Sequence, residues 1–260
     1  MKIPFAKAHG YGNDFLYVEA SDAPREVAAD ALARALCDRH GLLLVLDEVQ
    51  IGQEVAAVAI TPDGKRAFIC MNMVNKIGVL TIDGTKVTYD KALDIPAALN
   101  PYNIDITPDG KYAIASNTGA GGFNGDAEVI IDTSGPHPHV VGLMTPGTGP
   151  EGFAISPNGK WAVAVLLLGT GAAPTAYNYT KNGEAVLLSV GSNGTLTPVS
   201  RAKLGGLPEG VVFSPKSDYV YIGNYNDSDM QTFRIDNGRL VQVGSMKLPG
   251  QPASMRGLAR

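Results

Sequence analysis

Two Pro-Glu-Gly triplets, Pro150-Glu151-Gly152 and Pro208-Glu209-Gly210, hold the residues of this 260-residue chain best placed for chemistry. A third stretch, Asn100-Pro101-Tyr102-Asn103, aligns with them, and Asn117 and Asn224 close nearby apolar runs. Two carboxylates and several amide oxygens facing one channel could bind a hard cation such as Ca²⁺, with Glu151, Glu209 and Asn103 as ligands. Such an ion polarises a carbonyl and activates water. In the other reading, Pro-Glu-Gly is a turn whose Glu is solvated or caps a neighbouring amide.

Other candidates are sparser. His137-Pro138-His139 would point its two rings to opposite faces of an extended strand, which suits an exposed turn better than a metal site. The loop Gly119-Ala120-Gly121-Gly122-Phe123-Asn124-Gly125 could cradle an anion but enters no helix, so it is no phosphate loop. Tyr177 and Tyr179 could line a binding surface from a long loop. No Ser-His-Asp or Cys-His arrangement has suggestive spacing.

What must position these residues is a turn that occurs four times. It reads Thr61-Pro62-Asp63-Gly64-Lys65, Thr107-Pro108-Asp109-Gly110-Lys111, Ser156-Pro157-Asn158-Gly159-Lys160 and, degenerate, Ser214-Pro215-Lys216-Ser217-Asp218. Pro presets the first turn angle and Gly takes a positive φ. An apolar run precedes each turn and a β-rich run follows, so each copy is a hairpin. A hairpin recurring every ~40–50 residues is the signature of a propeller blade. Asp83-Gly84, Asn193-Gly194 and Asn237-Gly238 add later hairpin turns. In such a ring the strand lead-ins share one face with the loops at 118–126 and 169–183. The predicted architecture is all-β: a partial β-propeller of four four-stranded blades plus a stub beginning at Pro252, with a small N-terminal α+β segment. The boundary falls between residues 52 and 53.

Net charge is −4 with no basic block, which argues against nucleic acid. Cys37 and Cys70 each sit in an apolar run, as buried thiols do. No apolar stretch is long enough to span a membrane. No signal-type region follows Met1-Lys2-Ile3-Pro4, so the expected location is cytoplasmic. Residues 1–52 read differently from the rest. Strands at Lys2–Ala8 and Phe15–Glu19 flank a Gly-containing turn, a helix runs from about Pro24 to Arg39, and Leu42–Leu46 suits a buried strand.

Three resemblances follow. Residues 53–260 resemble the YVTN-repeat and lactonase-type β-propellers, with Tyr221-Ile222-Gly223-Asn224 the closest copy of the name motif and Ile114-Ala115-Ser116-Asn117 a looser one. That family usually closes with seven blades, and for part of it the resemblance implies lactone hydrolysis. Here such a hydrolase would use Glu151 and Glu209 for catalysis, and Tyr102, Asn103, Asn117, Asn224 and Tyr177 for substrate. The alternatives are a non-catalytic binding propeller and a chimera with no evolved function. Phe5-Ala6-Lys7-Ala8-His9-Gly10-Tyr11-Gly12-Asn13-Asp14-Phe15 looks like the opening of diaminopimelate epimerase, where the motif Asn, here Asn13, would contact substrate. That family needs two cysteines in Gly-rich helix-start loops, a setting neither Cys37 nor Cys70 has. Residues 35–50 resemble a class III pyridoxal-phosphate aminotransferase segment, which would set Asp47 against the pyridine nitrogen. The rest of that large fold is missing, so neither chemistry is expected. The expected partners are a small-molecule ligand and a second copy of the chain, two open arcs closing one ring by twofold symmetry; the alternative is that the N-terminal strands pair with the stub in the same chain.

Overall fold

The computed structural model describes residues 6–10, 13–17, 55–120 and 124–255. Near the N-terminus, β1 (Ala6–Gly10) and β2 (Asn13–Tyr17) form a separate antiparallel ladder. Both strands run closer to the turn than the sequence suggests, since His9-Gly10 and Asn13-Asp14 pair with each other. The expected helix at 24–39, the Leu42–Leu46 strand, Cys37 and Asp47 lie outside the described residues.

Four antiparallel meanders follow. Blade one is β3 (Val55–Ile60), β4 (Arg66–Met71), β5 (Lys76–Asp83) and β6 (Lys86–Tyr89), with the short β7 (Ile95–Pro96) also pairing on β5. Blade two is β8 (Pro101–Ile106), β9 (Tyr112–Asn117), β10 (Asp126–Asp132) and β11 (His139–Gly147). Blade three is β12 (Pro150–Ile155), β13 (Trp161–Leu166), β14 (Glu184–Val190) and β15 (Leu196–Lys203). Blade four is β16 (Pro208–Phe213), β17 (Tyr219–Asn224), β18 (Asp229–Asp236) and β19 (Arg239–Lys247).

The repeated turn works the same way each time. Thr107 Oγ1 donates to Asp109 Oδ1 at 2.7 Å and accepts from the Tyr112 amide at 3.1 Å, while the Gly110 amide closes onto the Thr107 carbonyl at 2.8 Å. Thr61, Ser156 and Ser214 repeat this lock, and in the degenerate copy Ser217 takes the positive φ that Gly holds elsewhere.

Alternate residues of each blade face opposite neighbours, so the core is a series of interblade layers. Phe68 and Cys70 meet Ala113, Ala115 and Ile131 between blades one and two. Ile114 and Ile130 meet Phe153, Ala164 and Leu188 between two and three. Val163 and Leu187 meet Phe213, Ile222 and Phe233 between three and four. Cys70 is thus a packing residue. A fourth layer, Ala67, Ile69, Met71 and Leu80, buries the face of blade one turned away from blade two. Arg66 ties the first two blades together at the turn end, its guanidinium donating to the carbonyls of Thr133 at 2.6 Å and Gly135 at 2.7 Å.

The stub corrects an expectation. Residues 252–255 form no strand. Pro252 lies against Gly223 and Met255 against Gly210, leaving no room for a methyl at either glycine. The segment therefore packs on blade four where a following inner strand would begin. Among the described residues, no helix is long and apolar enough to cross a membrane.

Candidate functional site

The three aligned lead-ins enter β8, β12 and β16, and each ladder slips at the same place. Pairing is interrupted between Pro101 and Asn103, between Pro150 and Phe153, and between Pro208 and Val211. The residues left unpaired include Tyr102, Glu151 and Glu209. A bulge re-aims the side chains it carries, which takes these three out of the alternation that would turn them into a blade layer. Blade one slips likewise between Val55 and Ala57, and there the corresponding residue is Ala56.

These side chains come together. Tyr102 hydrogen-bonds the Glu151 carboxylate, and Glu209 lies close enough for its charge to act on Glu151. The backbones touch as well: a methyl at Gly152 would stand 1.9 Å from the Glu209 carbonyl oxygen. Only glycine lets the lead-ins of blades three and four approach this closely. Glu151 is buried, Glu209 half-buried and Tyr102 the most open of the three. Burial, then the neighbouring Glu209, pushes the Glu151 carboxyl up to about 8, against the opposing pull of the Tyr102 hydroxyl. Burial pushes Glu209 up to about 7. Two carboxyl groups that change protonation near neutral pH can exchange protons with a substrate under ordinary conditions.

The other sequence candidates are placed differently. Asn103 Oδ1 accepts from the next amide, Ile104, at 2.8 Å. Asn117 is fully buried and donates to the carbonyls of Ala115 and Ala127. Asn224 is a clamp: it donates to Asp229 and Gln231 and accepts from the Gly205 amide. Tyr177 is 87% exposed on the loop between β13 and β14. With Asn103 turned to its own backbone, the side-chain oxygens gathered here are those of two carboxylates and a phenol. Among the described residues no three His, Cys, Asp or Glu gather as a metal would need.

Three surface hollows lie elsewhere. The largest, about 900 Å³, lies beside the Arg66 junction, lined among others by Asp63, Arg66, Asp83 and Ser134. Two more flank Lys203, one of about 300 Å³ on blade three and one of about 250 Å³ between blades three and four. None contains Glu151 or Glu209. We place the site at the carboxylates because bulge, burial and charge converge there.

Sequence reasoning missed two acids of blade two. Glu128 is fully buried, bonded to Ser116, with its carboxyl pushed up to about 8 by burial. Asp126 accepts from the Gly149 amide at 2.8 Å, two residues before Glu151. The signal was there in part: Glu128 lies opposite Ser116 in the β9–β10 ladder, on the face where Ile114 and Ile130 face blade three.

No family profile matches the chain. Among solved structures, the chain is similar to a candidate 6-phosphogluconolactonase of Bacteroides fragilis at TM-score 0.65 and 21% identity, covering 80% of this chain and 58% of that one. A candidate 6-phosphogluconolactonase of Bacteroides uniformis gives TM-score 0.63 at 18% identity, over 76% of this chain and 56% of that one. This likeness shows a β-propeller fold. The chain spans a little over half the length of those structures. The curated relatives are of another kind. The diaminopimelate epimerase of Halothermothrix orenii is 36% identical over 78 residues, 28% of this chain and 27% of the relative. The chain thus spans about a quarter of that protein, and the likeness is longer than the opening motif alone. All four curated matches are diaminopimelate epimerases or an O-ureido-serine racemase, and none supports the aminotransferase resemblance of residues 35–50.

Proposed function

We propose that this chain carries the carboxyl pair of a lactone hydrolase, with Glu209 as general base and then acid and protonated Glu151 as hydrogen-bond donor to the developing oxyanion. The observation behind the reading is the bulged trio Tyr102, Glu151 and Glu209, whose carboxyl groups are pushed up to about 8 and about 7. The lactonase-type fold supports the substrate class, and the names of the Bacteroides proteins suggest a sugar lactone.

Near neutral pH, Glu209 is substantially ionised and Glu151 mostly protonated. Glu209 takes a proton from water as the water oxygen bonds to the lactone carbonyl carbon. Protonated Glu151 donates a hydrogen bond to the carbonyl oxygen, where negative charge develops. The intermediate collapses, the ring C–O bond breaks, and the proton on Glu209 passes to the leaving alkoxide. The product is the open hydroxy acid, and Glu151 ends as it began. Tyr102 keeps the Glu151 carboxyl aimed.

A panel of γ- and δ-lactones, assayed with wild type and with Glu151→Gln and Glu209→Gln, tests this. Hydrolysis above the buffer rate that falls at least ~100-fold in either variant supports it. Saturable lactone binding without turnover would point instead to a non-catalytic binding propeller.

A further inference from the structure

We propose that Asp126 is a positioning residue. Through Gly119 and Gly149 it joins the lead-in of Tyr102 to the lead-in of Glu151, and so sets the hydrogen bond between those two side chains.

The link can be followed atom by atom. On the Tyr102 side, the Gly119 amide donates to the Leu99 carbonyl at 3.1 Å and the Thr118 amide to the Asn100 carbonyl at 2.9 Å. Asn100 Nδ2 returns a bond to the Gly119 carbonyl at 2.7 Å. Gly119 is thus fastened to the two residues that precede Pro101-Tyr102. The Asp126 carboxylate packs against Gly119, where a methyl would stand 1.8 Å from Oδ1. On the Glu151 side, Asp126 Oδ2 accepts from the Gly149 amide at 2.8 Å. The Gly149 carbonyl in turn accepts from the Leu167 amide at 2.8 Å, so both polar groups of Gly149 are fixed just before Pro150-Glu151.

Asn100 and Gly149 each carry a positive φ, 55° and 61°, immediately before the proline. These are the bends that start each lead-in. A bend held at both ends transmits its orientation to the next two residues, because proline allows little rotation between. Blade four fixes its own lead-in with another aspartate: Asp227 Oδ2 accepts from the Gly206 amide at 2.7 Å. That bond stays within one blade. The Asp126 bond crosses from blade two to blade three and therefore sets the relation between two site residues.

The test is a double-mutant cycle on the titration of Glu151, followed by ¹³C-carboxyl NMR in the full chain. In wild type, Tyr102→Phe removes a donor from the carboxylate and raises the Glu151 midpoint. In Asp126→Ala, the same substitution should shift the midpoint by less than half as much. Asp126→Asn keeps an acceptor oxygen for the Gly149 amide and should restore the coupling. Equal Tyr102→Phe shifts in wild type and Asp126→Ala would overturn the proposal, as would an Asp126→Asn variant as uncoupled as the alanine one. If Asp126→Ala does not fold, Gly119→Ala, which drives a methyl into the carboxylate, takes its place in the same cycle. Asp126 as a positioning residue for catalysis rests on the hydrolase reading, but the coupling is measured without substrate. Inactivity on every lactone would defeat that reading and leave the link standing.

Discussion

Ser116 donates a 2.7 Å hydrogen bond to Glu128 across the β9–β10 ladder, and both side chains are sealed between blades two and three. The other Glu128 oxygen has no partner among the described residues. A carboxylate there would be poorly compensated, so burial keeps the group protonated, with its pKa pushed from 4.5 to about 8. The unfolded chain loses that proton above about 4.5, while the folded protein retains it. The stability this group contributes is therefore complete below about pH 4.5, declines between 4.5 and 8, and is lost above 8. At about 1.4 kcal/mol per unit, the decline amounts to a few kcal/mol. Urea unfolding from pH 5 to 9 should show wild type weakening across that range and Glu128→Gln weakening less. A residual slope will remain from Glu151 and Glu209, which shift in the same direction. Parallel curves would refute the assignment.

The Gly152–Glu209 contact leads to a second expectation. Gly152→Ala places a methyl 1.9 Å from a backbone oxygen that no side-chain rotation can move. Overpacking of this kind costs about 1–3 kcal/mol. It should also move Glu209 away from Glu151, which lowers the Glu151 midpoint. Gly64→Ala is the contrast. That position is open to solvent but has a φ of +69°, so it should lose about 1 kcal/mol with no effect on either carboxyl. Thermal melts and carboxyl titrations on both variants separate the two outcomes.

Arg66 gives a third. Its fork holds two carbonyls of the blade-two turn, and Thr133 is fully buried. Arg66→Met keeps much of the packing and removes both charged bonds, with an expected loss of about 1–3 kcal/mol. Arg66→Lys cannot span both carbonyls and should fall between. A Lys variant as stable as wild type would show that the fork adds little.

Much of this was legible because the fold repeats. The Thr/Ser-Pro turns announced four blades, and four four-stranded blades are what the chain forms. The lead-in carboxylates were legible for the same reason, since aligned positions in a repeat end on one face. Other features were not. Whether a Glu is buried depends on what the next blade sets against its strand, and nothing local to Glu128 reveals the layer that Ile114 and Ile130 of the same blade share with Phe153 and Leu188. Asn117 and Asn224 looked available because strand ends usually are, yet Asn117 Nδ2 is spent on strand carbonyls of its own blade and Asn224 holds the Gly205 loop. The stub has the pattern of a lead-in but forms no strand over residues 252–255.

The pH dependence of lactone hydrolysis tests the central claim most directly. An ionised Glu209 and a protonated Glu151 together predict a bell-shaped kcat/KM, rising through about 7 and falling through about 8. Glu209→Gln should abolish the rising limb together with most of the rate, and Glu151→Gln the falling limb. A rate that climbs steadily with pH as in buffer alone, or a bell unchanged in both variants, would contradict it.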